Sequence, residues 1–122
     1  MPSENNTIRI EIRSGSLEVN QKTLDKIKQA LQHFVEAPGF PRQFSEHRAQ
    51  MRDELTASAS WVENGEAGVG TWRLTVENGG LVLVRYPPPV RGTMYIYRAA
   101  VEQDGSNWKV LSLTQERELG PE

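Results

Sequence analysis

The chain of 122 residues contains no cysteine. That excludes disulfide staples, thiolate nucleophiles and cysteine metal ligands. Histidine is nearly absent as well: His33 and His47 are the only two, and neither has a zinc-type spacing to a second ligand. His33 and Glu36 could share a metal only if His47 came close, so no metal is expected. His33 reads as a solvated flank residue and His47 as a partly buried helix residue. Long apolar runs are missing. The longest, Leu81 to Val84, is far too short to span a bilayer. The start, Met1-Pro2-Ser3-Glu4-Asn5-Asn6, lacks the charged region and apolar core of a signal peptide. A cytoplasmic protein with no membrane partner is expected. Charge of one sign is also lacking: 14 Lys and Arg face 16 Asp and Glu, a net charge of −2, so no global field draws the protein to nucleic acid.

Catalytic motifs fail one by one. Gly65-Glu66-Ala67-Gly68-Val69-Gly70-Thr71 looks like a phosphate loop, but no Lys precedes Thr71 and a strand pattern, not a helix, follows. It reads as a glycine-rich hairpin connection. No serine sits on a G-x-S-x-G elbow. Asp53 and Glu54 are adjacent and so point to different helix faces, and Glu116 and Glu118 share a strand face near the C-terminus. No catalytic residue and no cofactor is assigned, and an enzyme is the less favoured class.

What is present is an ordinary globular composition, 37% hydrophobic and 25% charged. Residues 1–122 read as a single α+β domain, with 1–6 and 119–122 frayed. Ile8, Ile10 and Ile12 alternate with polar residues and predict a strand. Ser14-Gly15-Ser16 then predicts a turn into a second strand, Leu17 to Val19. Asn20 has the position of an N-cap, with Val19 and Leu24 spaced as a hydrophobic staple. Leu24, Ile27, Leu31, Phe34 and Val35 recur at helical spacing up to Pro38-Gly39. A loop with Phe40 and Phe44 as anchors leads to a shorter helix, capped by Ser45, that carries His47, Met51 and Leu55 on one stripe.

From Trp61 the pattern is a hairpin meander. Asn64-Gly65, Asn78-Gly79 and Asp104-Gly105 accept the positive φ angles of type I′ turns. The second of these sets a register: Val76 opposite Leu81, Leu74 opposite Leu83, Trp72 opposite Arg85. That makes Trp72, Leu74, Val76, Leu81 and Leu83 the core face. In the last hairpin, Tyr95, Tyr97, Ala99, Val101, Trp108 and Val110 share one face. Met94, Ile96, Ala100, Leu111 and Leu113 share the other, with Arg98 and Lys109. A four-residue loop there sets Glu102 beside Lys109; a two-residue loop is the alternative. Both faces are apolar, so a helix, a partner protein or a ligand is expected on the second. Between the hairpins, Tyr86-Pro87-Pro88-Pro89-Val90-Arg91-Gly92 reads as extended and stiff. The expected architecture is an antiparallel sheet of five to six strands, with one long and one short helix packed on one face.

From Asn78 to Val101 there is no acidic residue, while Arg85, Arg91 and Arg98 are present with Tyr86, Tyr95 and Tyr97. Such a segment suits an interface, an anion or stacked bases. With Trp108 and His47 these residues form the candidate binding set. The closing run, Tyr95 to Leu111 with its Asp-Gly…Trp-Lys-Val pattern, resembles the last hairpin of NTF2-like and cystatin-like sheets. That likeness implies a cone-shaped sheet as the alternative fold. Three functions follow in order of expectation. The first is a non-catalytic binding or assembly module, self-associating as a homodimer or bound to another protein through a sheet face. The second is a small ligand cup or enzyme with a pocket between sheet and helices. The third is single-stranded nucleic-acid binding.

Overall fold

The computed structural model describes residues 7–57, 59–87 and 92–119. It contains β1 (Ile8–Ile12), β2 (Gly15–Val19), α1 (Gln21–Glu36), a 3-10 turn at Arg42–Phe44, and α2 (Ser45–Ala57). Six strands follow: β3 (Ser60–Glu63), β4 (Glu66–Val69), β5 (Trp72–Glu77), β6 (Gly80–Arg85), β7 (Thr93–Asp104) and β8 (Asn107–Leu119). β1 and β2 form a two-stranded ribbon, and β3 to β8 an open antiparallel sheet in sequential order. This is the α+β architecture expected from the alternation and turn signals. Among the described residues no helix is long and apolar enough to cross a membrane.

α1 begins as its capping residues dictate. The Asn20 side chain accepts from the Thr23 backbone N–H at 2.9 Å, and the staple pair Val19 and Leu24 is fully buried. Leu24, Ile27, Leu31 and Val35 form its buried stripe. At its other end Arg48 reaches back from α2, donating to the carbonyls of Val35 (2.7 Å) and Ala37 (3.0 Å) that the helix leaves free. α1 lies closest to β8 at one end of the strand order and to β3 and β4 at the other. The sheet therefore curls, and one helix fills the gap between its two edges. Trp72, Leu83, Tyr97 and Ala99 lie fully buried inside the curl.

The Asn78-Gly79 register holds pair for pair, Trp72 opposite Arg85 included. Both asparagines of the expected type I′ turns have positive φ, 48° at Asn64 and 52° at Asn78. Five details differ from the expectations. The first turn is Arg13-Ser14, because Gly15 at φ 139° already pairs with Ile12. Ser45 does not cap: α2 continues directly from the 3-10 turn, with Ser45 itself in right-handed helical geometry. The glycine-rich run hides a strand, β4, between the Asn64-Gly65 turn and a second turn at Gly70-Thr71. The last turn is Gly105-Ser106 rather than Asp104-Gly105. It preserves the Glu102–Lys109 pairing and extends it to Asp104 opposite Asn107.

The fifth difference changes a face. Val101 pairs with Val110 but Ala100 with Ser112, so Leu111 is an extra residue, a β-bulge. One inserted residue reverses the parity of everything after it. Leu113 therefore lies opposite Ala99 on the core face, buried, not with Met94 and Ile96 as expected. Leu111 itself is left more than half exposed.

Residues 88–91, including Arg91, and the expected frayed residues 1–6 and 120–122 lie outside the described residues. Leu119, also expected to fray, closes β8 opposite Thr93.

Candidate functional site

The core face of the sheet carries one row that runs across every strand: Ser60, Val69, Trp72, Arg85, Tyr97 and Gln115 are successive register partners. Partners directly opposite one another in antiparallel strands point to the same side. Arg85 is thus driven under α2 with 1% of its surface exposed. A buried guanidinium needs a carboxylate. Glu54 supplies it as a fork, receiving Arg85 Nε at 2.6 Å and Nη2 at 2.7 Å, while Thr71 Oγ1 donates to the same carboxylate at 3.0 Å. Burial raises the Glu54 carboxyl, but the hydrogen bond and charge of Arg85 outweigh it and hold the group below its ordinary range. Arg85 also lies over the Tyr97 ring, 5.4 Å from its centroid; Phe44 meets that ring edge-on and His47 tilts against it. Burial pushes the Tyr97 phenol up, against the Gln115 amide that donates to it at 2.8 Å. Three buried polar atoms of this row, Ser60 Oγ, Trp72 Nε1 and Arg85 Nη1, have no hydrogen-bond partner among the described residues.

The opposite, outer face is partly apolar. Val84 and Ile96 are buried there, and Val82, Met94 and Ala100 half-buried. Gly68 lets the Trp61 ring approach β4 closely: a Cβ at Gly68 would meet the Trp72 carbonyl oxygen and come within 2.9 Å of the ring. Arg73 stacks on that ring at 4.7 Å. Arg98 is held from two sides, donating to Glu77 at 3.0 Å and to Glu116 at 2.5 Å.

Beside this face lies a groove of about 590 Å³. β6 and β7 line it with Leu81, Val82, Ala100 and Val101. The β1–β2 ribbon contributes Ile12 and Leu17 to the lining, and β8 contributes Trp108 and Leu111. The ribbon is tied to the sheet by the Arg13 N–H, which donates to the Gly79 carbonyl at 3.1 Å. The charged residues lining the groove are already paired: Arg98 with Glu77, and Glu102 with Lys109 at 3.5 Å.

The candidate set therefore divides. Arg85, Tyr97 and His47 come together, but as a packed cluster under α2. Tyr95 is half-buried on the same face. Arg98 and Trp108 meet at the groove. Tyr86 stands apart, 56% exposed, and Arg91 lies outside the described residues. Glu77 was not singled out by the sequence, Glu54 was weighed only as a catalytic carboxylate, and Leu111 only as part of the second apolar face. For Glu54 a signal exists: Met51, Glu54 and Leu55 share one stripe of α2, and Arg85 sits among core residues in the Asn78-Gly79 register, so each charge implies the other.

No protein-family model matches the chain, and neither a curated protein nor a solved structure matches it.

Proposed function

We propose that the protein is a non-catalytic binding or assembly module, and that its contact surface is the groove with the adjoining outer face of β6, β7 and β8. The observation that carries this reading is the bulge at Leu111. It places a large apolar side chain, 54% exposed, in the lining of a groove shared with Leu81, Val82, Ala100 and Val101. Contiguous exposed apolar surface usually marks a contact site. Because the charges lining the groove are paired, a partner gains little there from ionic attraction and much from covering Trp108 and Leu111. The simplest occupant is a second copy of the protein, since most oligomers are twofold and self-complementary. A cytoplasmic setting belongs to this proposal, and imaging the tagged protein in cells tests it. Light scattering across a dilution series tests the self-association. A dimer that Leu111→Asp splits, with the monomer still folded, supports the reading; a strict monomer at the highest concentration removes it.

A second reading has one observation in its favour. The groove volume lies within the range of small-ligand sites, roughly 300–1,000 Å³. A thermal-shift screen against metabolites separates the two, because a ligand specific for the native state raises its melting temperature. Single-stranded nucleic acid draws no support from two of the arginines: Arg85 is buried against Glu54, and Arg98 is paired with Glu77 and Glu116.

A further inference from the structure

We propose that Asn64 is a site of spontaneous deamidation selected by the fold, and that Asn78, in a turn of matching sequence, is spared. The two turns share their local chemistry. Glu63-Asn64-Gly65-Glu66 and Glu77-Asn78-Gly79-Gly80 each set an Asn between Glu and Gly, and each Asn is exposed at positive φ in a two-residue turn. The backbone nitrogen of Gly65 attacks Cγ, the amide carbon of the Asn64 side group. A new bond forms between that nitrogen and Cγ, the bond from Cγ to Nδ2 breaks, and Nδ2 leaves as ammonia with the displaced proton. Water then opens the succinimide to aspartate or isoaspartate, so the only co-reactant is solvent.

Attack requires the nitrogen within about 3–3.5 Å of that carbon in the right direction. A closed turn fixes the backbone of both residues, so reaction waits on turn opening, and local stability sets its rate. Here the two turns diverge. β3 and β4 are joined by four register pairs at the edge of the sheet, β4 makes two pairs with β5, and nothing lies within 4 Å of the position a Cβ on Gly65 would take. β5 and β6 are joined by six pairs in the sheet interior. Their turn is clamped by Arg13, whose N–H binds the Gly79 carbonyl and whose side chain packs over that glycine.

Isoaspartate adds a backbone carbon, which a two-residue turn cannot absorb with Glu63 still opposite Glu66. Either product also adds a negative charge to the hollow lined by Trp61, Glu63 and Glu66. Modification therefore loosens the β3–β4 hairpin.

The test incubates the full-length protein in mildly alkaline buffer, folded and in denaturant, and follows both asparagine peptides by mass spectrometry. In denaturant the two sites should react at similar rates. In the folded protein Asn64 should react at least ~10-fold faster than Asn78, a difference of about 1.4 kcal/mol in opening. Hydrogen exchange should show β3–β4 amides losing protection as the product accumulates, and Asn64→Gln should retain it. Equal folded rates, a faster Asn78, an Asn64 protected as well as Asn78, or the same loss of protection in Asn64→Gln each overturn the proposal.

Discussion

Replacing Glu54 by Ala leaves the Arg85 guanidinium, 1% exposed, without its carboxylate. Breaking a buried ion pair from one side costs roughly 3–5 kcal/mol, because the remaining charge is stranded. The Glu54 side chain is 21% exposed, so some water can take its place and the cost belongs near the lower end, about 3 kcal/mol. The reverse change is milder. In Arg85→Met the carboxylate at the lip can hydrate and keeps its Thr71 hydrogen bond, for a loss of about 1 kcal/mol. Removing both charges with Glu54→Leu and Arg85→Met leaves the fold within about 1 kcal/mol of the parent, since an apolar pair needs no desolvation. Urea unfolding with an unchanged m-value measures all three. The loss should be largest in Glu54→Ala, smaller in Arg85→Met and smallest in the double variant. If Arg85→Met cost more than Glu54→Ala, the idea of a stranded guanidinium would be wrong. pH adds a second axis. The Glu54 carboxyl titrates lower in the folded than in the unfolded state, so its contribution is complete above the unfolded value and disappears as pH falls through the folded one. The gap between parent and Glu54→Gln should close across that acidic window and stay constant from there to neutrality.

Three further outcomes follow from packing. Leu31→Ala, at a fully buried position of α1, should cost about 2–5 kcal/mol in chemical denaturation, and a smaller loss would mean that α1 is not packed as described. Gly68→Ala forces a methyl against the Trp72 carbonyl and the Trp61 ring, for roughly 1–3 kcal/mol and an altered Trp61 fluorescence signal. Deleting Leu111 removes the bulge while leaving Val110 and Leu113 on the core face. Its melting temperature should stay close to the parent's, whereas deleting Leu113 should unfold the protein.

The sequence carried most of the local structure in residues whose chemistry allows few alternatives. Asn20 can cap, three isoleucines alternate, and Asn78-Gly79 accepts a turn that fixes six pairs at once. The bulge at Leu111 was not legible, because no Gly or Pro marks it; it is fixed by which of Leu111 and Leu113 finds room inside the curl. Nor did the acid-free stretch from Asn78 to Val101 reveal that Arg85 and Arg98 are paired. Arg85 meets Glu54, 31 residues away, and Arg98 meets Glu77 and Glu116, 21 and 18 residues away. Local composition is blind to charges that only folding brings near. The groove has the same origin: Ile12 and Trp108 share it through the contact of ribbon and sheet, which no periodicity encodes.

The placement of α1 between the two ends of the curled sheet bears on the order of assembly. The meander from β3 to β8 can zip up neighbour by neighbour, with short loops and little entropy to overcome. Neither outermost strand is paired on its far side by another strand among the described residues, and both come to rest against the same helix. The bond from Lys26 to the Ser106 carbonyl shows the span, 80 residues. On the ribosome α1 emerges early and must wait for β8 before the last gap closes. Until then two strand edges are open, and an open edge will pair with whatever polypeptide is near. Synthesis rate and the concentration of nascent protein should thus govern yield more than the final stability does.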